Sequence, residues 1–313
     1  MSKISLSGGV WSATPTPFFE DRRVDPESVR RMVAHHISMG VTGVMLAGTC
    51  GEGPWMRLAD RELLTRTAVE AAGGRLRIAL QVTDNSAGRV LDNIERAAAW
   101  GAEIAVVEAP WFFLNATPER LLGHYREIAR KSALPMGLYD RGKASAFAMP
   151  ASHLPEILGE EGIAMVKDSS TDPSRREIFL AARKARPDIV LLTGGEFDMV
   201  DYMRSGYDGA LLGGGIFNAR LALAIIHAVR TGDREGADRT QARMNDLMYR
   251  VYGGTKIECW LSGLKELLVR MGIFSTNVNL LEYPLTERCI AQIKAALEGG
   301  YRSDLLGQPI AKT

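Results

Sequence analysis

Residues 86–107 read SAGRVLDNIERAAAWGAEIAVV, and this segment contains the unit from which the chain is built. Apolar side chains recur at helical spacing over residues 86–100, and an aliphatic run occupies residues 104–107. Gly101 and two linking residues separate the two patterns. The segment therefore predicts an amphipathic helix that ends at a glycine and leads into a buried β-strand.

The same unit recurs along the chain. Strands are predicted at residues 10–13, 44–46, 78–82, 104–107, 135–139, 163–167, 189–193 and 210–212. Helices are predicted near residues 26–39, 58–73, 86–100, 117–131, 151–158, 173–185, 197–204 and 216–230. Such alternation predicts a parallel sheet with helices outside it. Eight repeats favour an α/β fold of the (β/α)8 TIM barrel type over an open doubly wound sheet, because no GxGxxG motif follows the first strand.

Three more helices are predicted beyond the eighth unit, at residues 233–250, 256–271 and 284–298. No flexible linker separates them from the preceding repeats. A single barrel needs about 250 residues, so a chain of 313 residues accommodates one barrel and an additional segment. We therefore divide the chain into a barrel with the active site, residues 1–232, and a C-terminal helical segment packed on it, residues 233–313.

Composition and charge exclude several classes of function. The 38 basic and 37 acidic residues give a net charge of +1, which argues against nucleic acid as a partner. The three cysteines are too few and too scattered for a disulfide framework or a zinc cage. Because we find neither an apolar stretch of about 18 to 20 residues nor a signal-peptide pattern, we expect a cytoplasmic protein that does not bind membranes.

Lys167, which ends an aliphatic run, is the candidate nucleophile. Barrel enzymes carry their chemistry at the C-terminal ends of the strands. Side chains alternate across a strand, so Lys167 points into the barrel if Met165 does. Partial burial there favours the neutral amine, which can attack a carbonyl group. The alternative is a strand-end lysine that extends into solvent.

Two neighbouring strand ends carry further candidates. Tyr139 ends the fifth predicted strand, and its hydroxyl can relay a proton beside an imine or can simply bond a backbone carbonyl. Residues 48–52 (GTCGE) follow the second strand, and their glycines let backbone N–H groups converge on a carboxylate. Glu52 has a simpler alternative role as a helix-start carboxylate that serves only the helix dipole.

In combination, residues 13–18 (ATPTPF), 48–52, 110–112 (PWF), Tyr139 and 166–170 (VKDSS) resemble the dihydrodipicolinate synthase and N-acetylneuraminate lyase superfamily of class I aldolases. The order and spacing of these motifs match over essentially the whole chain.

The resemblance implies a specific set of roles. Lys167 forms an imine with a 2-oxo acid such as pyruvate, Tyr139 relays protons, and Thr49 and Cys50 hold the substrate carboxylate. Thr49 is also a catalytic candidate, as a member of the proton relay. No metal or other cofactor is expected, because the protonated imine is itself the electron sink. The family commonly forms homotetramers, so we expect a homo-oligomer.

The chain departs from the synthases of this superfamily at three places. Cys50 replaces the second threonine of the loop after the second strand, although a contact through its backbone N–H group would survive the change. Phe112 stands where they typically have a tyrosine of the proton relay, and phenylalanine cannot transfer a proton. After Tyr139 the expected spacing to an arginine that holds the aldehyde's carboxylate is lost. Arg141 and Lys143 are candidates to replace it, with solvated loop charges as the alternative.

The loop after the seventh predicted strand points to a different substrate. Glu196, two residues after Gly194, lies where sugar-acid members of the superfamily bind substrate hydroxyls. The following loop, at Gly213, has no side chains and leaves room. We therefore predict an aldolase or dehydratase that acts on a 2-oxo-3-deoxy sugar acid or a related hydroxy-2-oxo acid.

Three other hypotheses stay open. One is dihydrodipicolinate synthase itself, which condenses pyruvate with aspartate semialdehyde. Another is a hydratase-aldolase for aromatic substrates, with residues 111–113 (WFF) as an apolar wall. The third, of a different class, is a non-catalytic barrel that senses a 2-oxo acid, and the presence of both Lys167 and Tyr139 argues against it.

Overall fold

The computed structural model describes residues 6–306, and within them eight parallel strands close into a barrel in the order β1 to β8. The strands are β1 (Gly9–Ala13), β2 (Gly43–Leu46), β3 (Arg77–Gln81), β4 (Ile104–Val107), β5 (Met136–Asp140), β6 (Ile163–Asp168), β7 (Val190–Thr193) and β8 (Gly209–Leu212). Each end lies within one residue of its predicted position. The predicted (β/α)8 fold is confirmed.

Helices follow the strands and cover the outside of the barrel. They are α1 (Pro26–Met39), α2 (Leu58–Ala72), α3 (Ala87–Ala99), α4 (Pro118–Lys131), α5 (Leu154–Leu158), α6 (Pro173–Ala185), α7 (Met199–Ser205) and α8 (Gly215–Thr231). Short 3₁₀ turns occupy Gly53–Trp55, Gly142–Ala144 and Ala151–His153.

Side chains at alternate strand positions fill the barrel interior. A Cβ atom built on Gly137 would lie 3.3 Å from Val106 Cγ2 and 3.6 Å from Met165 Sδ, so these residues of β4, β5 and β6 all point to the axis. On the opposite side the fully buried Trp11 ring leaves room only for hydrogen at Gly43, where a Cβ atom would lie 2.5 Å from the ring. The interior is a packed core, so chemistry is confined to the strand ends.

The C-terminal segment contains α9 (Arg234–Val251), α10 (Trp260–Arg270), α11 (Glu287–Glu298) and α12 (Arg302–Leu305). The helix predicted over 256–271 begins only at Trp260, because Ile257 has a positive φ value of 55° and is therefore not helical. Gln241 of α9 bonds the loop after β7 through the backbone of Glu196 at 2.9 Å. The division of the chain at residue 232 stays a prediction.

Residues 6–306 contain neither a membrane-spanning helix nor a cluster of metal ligands. None of their helices is both long and apolar enough to cross a membrane. Within the same range, no three His, Cys, Asp or Glu residues are grouped as metal ligands.

Candidate active site

Lys167 and Tyr139 lie side by side at the C-terminal ends of β6 and β5. Their Cα atoms are register partners, and each residue is only 6% exposed. The Nζ atom of Lys167 lies 4.1 Å from the centroid of the Tyr139 ring. No carboxylate of residues 6–306 forms an ion pair with Lys167. The amine is therefore sheltered from bulk water by a ring face and makes no ion pair within the described residues.

A β-bulge in β6 creates this register. Met136 of β5 pairs with Ile163, and Ala164 is an extra residue before pairing resumes. If pairing continued regularly from Met136 and Ile163, Lys167 would lie opposite Asp140, one position beyond Tyr139. Bulges often re-aim side chains next to active sites.

Carboxylates on the outer face hold the same two strand ends. Asp140 accepts hydrogen bonds from Arg175 Nε at 2.6 Å and Nη2 at 2.9 Å, and both side chains are buried. Asp168 accepts hydrogen bonds from the Tyr207 hydroxyl at 2.7 Å and from the Ser170 amide at 2.9 Å. Burial raises the pKa of Asp168, and these hydrogen bonds oppose the rise. These bonds hold the C-terminal ends of β5 and β6 from the outer face of the barrel.

The loop after β2 places Thr49 and Cys50 at the same mouth of the barrel. The Cys50 Sγ atom lies 3.9 Å from the carbonyl oxygen of Gly213 in the loop after β8. Burial raises the pKa of the Cys50 thiol to about 12, Glu196 adds to the rise, and Lys167 opposes it. Cys50 is therefore a neutral, buried side chain close to both charged groups.

Glu196, in the loop after β7, lies close enough to Lys167 to interact electrostatically with it. Its Oε1 atom accepts a hydrogen bond from the Gly214 amide at 2.9 Å. Asn218 Nδ2 and the Tyr252 hydroxyl donate to Oε2, each at 3.4 Å. Burial raises the pKa of Glu196, while the amide bonds and Lys167 lower it. The two long contacts leave Oε2 open to a better donor.

A cavity of about 620 Å³ opens beside Glu196. A Cβ atom on Gly194 would lie 1.9 Å from Ser169 Oγ, so the loops after β6 and β7 approach closely at this glycine. The C-terminal segment supplies the opposite wall of the cavity. The lining residues are Thr171, Gly194, Gly195, Glu196, Phe197, Asp198, Tyr252, Ile257 and Trp260.

Arg141, a candidate for binding a second carboxylate, already has an acidic partner. Its Nη1 atom lies 3.2 Å from Glu108 Oε1, and the Glu108 side chain is 2% exposed. Ser145 Oγ also donates to this oxygen at 3.3 Å. Sequence reasoning missed Glu108, although it directly follows the aliphatic run of β4. The strand-end criterion that identified Lys167 would have found it.

The aromatic residues 111–113 do not form a single wall. Phe112 is 62% exposed, and its amide donates to Asn85 Oδ1 at 3.0 Å. The Phe113 ring packs instead against Phe147 and His124, with centroids 6.2 and 5.9 Å apart. None of the three lines the cavity beside Glu196.

Gln81 is a further polar residue that sequence reasoning missed. It pairs in register with Val106, so its side chain points to the barrel axis. Its Oε1 atom is buried without a hydrogen-bond partner among residues 6–306. A Cβ atom on Gly48 would lie 3.2 Å from this oxygen, which places it beneath the loop after β2. A substrate or water at the base of the site can bond it.

The chain is similar to known proteins over nearly its full length. The model of the "Dihydrodipicolinate synthetase family" matches residues 6–298. A 4-hydroxy-tetrahydrodipicolinate synthase of Thiobacillus denitrificans is 27% identical over 300 residues, covering 95% of this chain and 98% of that protein. An N-acetylneuraminate lyase of Salmonella paratyphi B is 26% identical over 278 residues, covering 88% and 86%.

Solved structures agree with these relatives. The structure of dihydrodipicolinate synthase from Bacteroides thetaiotaomicron has a TM-score of 0.85 at 26% identity and covers 95% of this chain and 99% of that one. The resemblance predicted from the motifs is confirmed, and with it the prediction of a Schiff-base-forming lyase. The chain belongs to the dihydrodipicolinate synthetase family.

Proposed function

We propose that Lys167 forms an imine with the carbonyl carbon of a 2-oxo acid such as pyruvate. The observation that carries this proposal is the buried Nζ atom against the Tyr139 ring, without an ion-pair partner. The amine adds to C2, and loss of water from the carbinolamine gives the protonated imine. The backbone N–H groups of Thr49 and Cys50 hold the substrate carboxylate, and the Thr49 hydroxyl completes a relay with Tyr139.

The reaction that follows is aldol cleavage or dehydration. In cleavage the C3–C4 bond breaks, its electron pair moves through C3 to the imine nitrogen, and the C4 hydroxyl loses its proton as an aldehyde forms. In dehydration C3 loses a proton and the C4 hydroxyl leaves as water. Tyr139 carries these protons, because a phenol donates and accepts in turn.

We propose a hydroxylated 2-oxo acid, such as a 2-oxo-3-deoxy sugar acid, as the substrate. Glu196 lies near the amine, and its Oε2 atom has only long contacts at 3.4 Å, so a substrate hydroxyl can compete for it. The cavity of about 620 Å³ beside it has room for a polyol tail. Gly194 and Gly213 keep this end of the site free of side chains, whereas Phe112 lies on the exposed loop after β4.

Dihydrodipicolinate synthase activity is the second candidate, because most of the relatives above have that name. Its aldehyde substrate carries a second carboxylate that needs a cation. Arg141 is held by Glu108 at 3.2 Å, which disfavours this role.

A parallel substrate screen tests the proposed function. The purified protein is given 2-oxo-3-deoxy sugar acids, and pyruvate release and dehydration are followed; a second reaction contains pyruvate and aspartate semialdehyde. We expect turnover of a sugar acid, at most feeble synthase activity, and no effect of EDTA, because the imine replaces a metal as the electron sink. A robust synthase rate would contradict the substrate assignment, and no turnover of any 2-oxo acid would favour a sensor.

We also propose that the protein is a cytoplasmic homo-oligomer. Trp55, Trp111, Phe112 and Leu114 expose large apolar surfaces near the barrel mouth, which a second copy of the chain would cover. The three cysteines are buried and unpaired, which fits a reducing compartment. Light scattering on the intact protein, with the expected mass of a tetramer, tests the assembly.

A further inference from the structure

A buried ion pair connects the loop after β2 with the C-terminal segment. Lys265 of α10 donates a hydrogen bond to Glu52 Oε1 at 2.5 Å, and both side chains are 0% exposed. The second Glu52 oxygen accepts from the Leu280 amide, and Lys265 also donates to the Val278 carbonyl at 2.7 Å. Both carboxylate oxygens of Glu52 therefore bond the segment that follows the barrel.

Glu52 determines the shape of the loop that carries Thr49 and Cys50. It has a left-handed backbone conformation with φ at 59°, and its amide donates to the Thr49 carbonyl at 3.2 Å. The next amide, of Gly53, closes the turn onto Gly48 at 3.1 Å. The Glu52 side chain makes no capping hydrogen bond, and both of its oxygens bond the C-terminal segment, so it does not serve a helix dipole alone. A non-glycine residue keeps such a conformation only where its surroundings hold it.

The partner segment is itself firmly attached to the first part of the barrel. Thr276 Oγ1 donates to the Phe18 carbonyl at 2.6 Å, and Ser275 Oγ donates to Asp25 Oδ2 at 2.5 Å. The Lys265 Nζ atom lies 4.5 Å from the Phe18 ring centroid. The segment that bonds Glu52 is therefore itself held against the first part of the barrel.

Burial of two charges is costly, and a buried ion pair is often no more stabilising than an apolar pair of the same volume. Stability alone is therefore a weak explanation for a pair at this location. We propose that the Glu52–Lys265 pair is a positioning device, which sets the Thr49 and Cys50 amides at the geometry that binds the substrate carboxylate. The C-terminal segment then takes part in substrate binding. This inference rests on the proposed function of that loop.

The test measures pyruvate binding separately from chemistry. The intact protein is reduced with borohydride over a range of pyruvate concentrations, which gives a half-saturating concentration and a maximal extent of trapping. The variants are Glu52→Asp, which retains the charge but shortens the side chain, and the double variant Glu52→Gln/Lys265→Met, which removes both charges. Ile293→Ala, a buried truncation in α11, is the control for general loosening of the C-terminal segment.

We expect the half-saturating pyruvate concentration to rise at least tenfold in the double variant and by a smaller factor in Glu52→Asp. Maximal trapping should stay near that of the unmodified protein, because Lys167 is untouched. The inference is overturned if the folded variants keep half-saturation within twofold of the unmodified protein, or if Ile293→Ala shifts it equally. If the double variant does not fold, Glu52→Asp alone decides. Absence of trapping in the unmodified protein would refute the proposed function instead.

Discussion

Lys167 and Lys265 are both buried lysines, and each lies over an aromatic ring, at 4.1 Å from Tyr139 and 4.5 Å from Phe18. They differ in their partners. Lys265 donates to a carboxylate and to a carbonyl, whereas Lys167 has no ion pair with any carboxylate of residues 6–306. Burial lowers the pKa of Lys265, and Glu52 opposes the shift.

This difference in partners is the one we expect between a structural lysine and a reactive one. An amine that pairs with a buried carboxylate must break that ion pair before it can react, and breaking the pair leaves a buried charge without a partner. An amine against a ring face at the open end of the barrel can reach a carbonyl carbon without breaking an ion pair. Burial alone does not distinguish the two lysines, whereas the hydrogen-bond partners do.

Replacing Lys167 by arginine is the change with the largest expected effect. Arginine keeps the charge but is never a neutral amine, so turnover should fall by about 10⁶-fold, as when another covalent nucleophile is removed. The melting temperature should change little, because no ion pair is lost. Pyruvate release and thermal melting measure the two quantities. Retention of a tenth of the activity would remove Lys167 from the mechanism.

Tyr139→Phe removes the hydroxyl beside Lys167 while leaving the ring that shelters the amine. The catalytic rate should fall by roughly 10² to 10⁴-fold, the range for loss of a positioned acid or base. Slow trapping of pyruvate by borohydride should persist. Tyr301→Phe, which removes a hydroxyl bonded to Asp246 in the C-terminal segment, is the matched control and should keep the full rate. Equal rates for both variants would place the proton relay elsewhere.

Lys265→Met removes the ammonium group that bonds Glu52. It leaves Glu52 buried and unpaired, so the free energy of unfolding should fall by about 3 to 5 kcal/mol. The double variant Glu52→Gln/Lys265→Met should recover most of that loss, since neither charge remains. Chemical denaturation of the single and double variants measures the difference. If Lys265→Met is no less stable than the double variant, the pair is not coupled as the structure indicates.

Glu196→Ala has the smallest expected effect. It should cost about 1 to 3 kcal/mol in kcat/KM for a polyhydroxylated substrate, the range for lost hydrogen bonds to a charged group. Imine formation with pyruvate is the internal control, because pyruvate has no hydroxyls to bind. An equal loss for both compounds would mean that Glu196 supports the site generally and does not select hydroxyls.

The structural features that depend on local patterns could be predicted from the sequence. Periodicity and glycine-closed helices gave all eight strands, because a (β/α)8 barrel repeats one short unit. Alternation along β6 placed Lys167 inside the barrel, and the parallel strand ends brought Tyr139 beside it. The relatives and the closed barrel confirm the fold and the family, while the residue roles stay predictions.

The parts that depend on distant partners could not be predicted. Glu52 and Lys265 are 213 residues apart, and no local pattern indicates that they meet. The Glu108–Arg141 pair joins two loops in the same way. The composition of β6 does not indicate a bulge at Ala164, although this bulge places Lys167 opposite Tyr139. Each of these follows from packing between elements, which periodicity does not encode.

The most direct test is to locate the imine. The intact protein is incubated with pyruvate, reduced with borohydride, digested and analysed by peptide mass spectrometry, so that an N-(1-carboxyethyl) group marks the lysine that reacted. The account predicts this group on Lys167, a protected Lys265, and no labelling of the Lys167→Arg variant. An adduct on any other lysine, or none at all, would contradict the claim that Lys167 is the reactive one of the two.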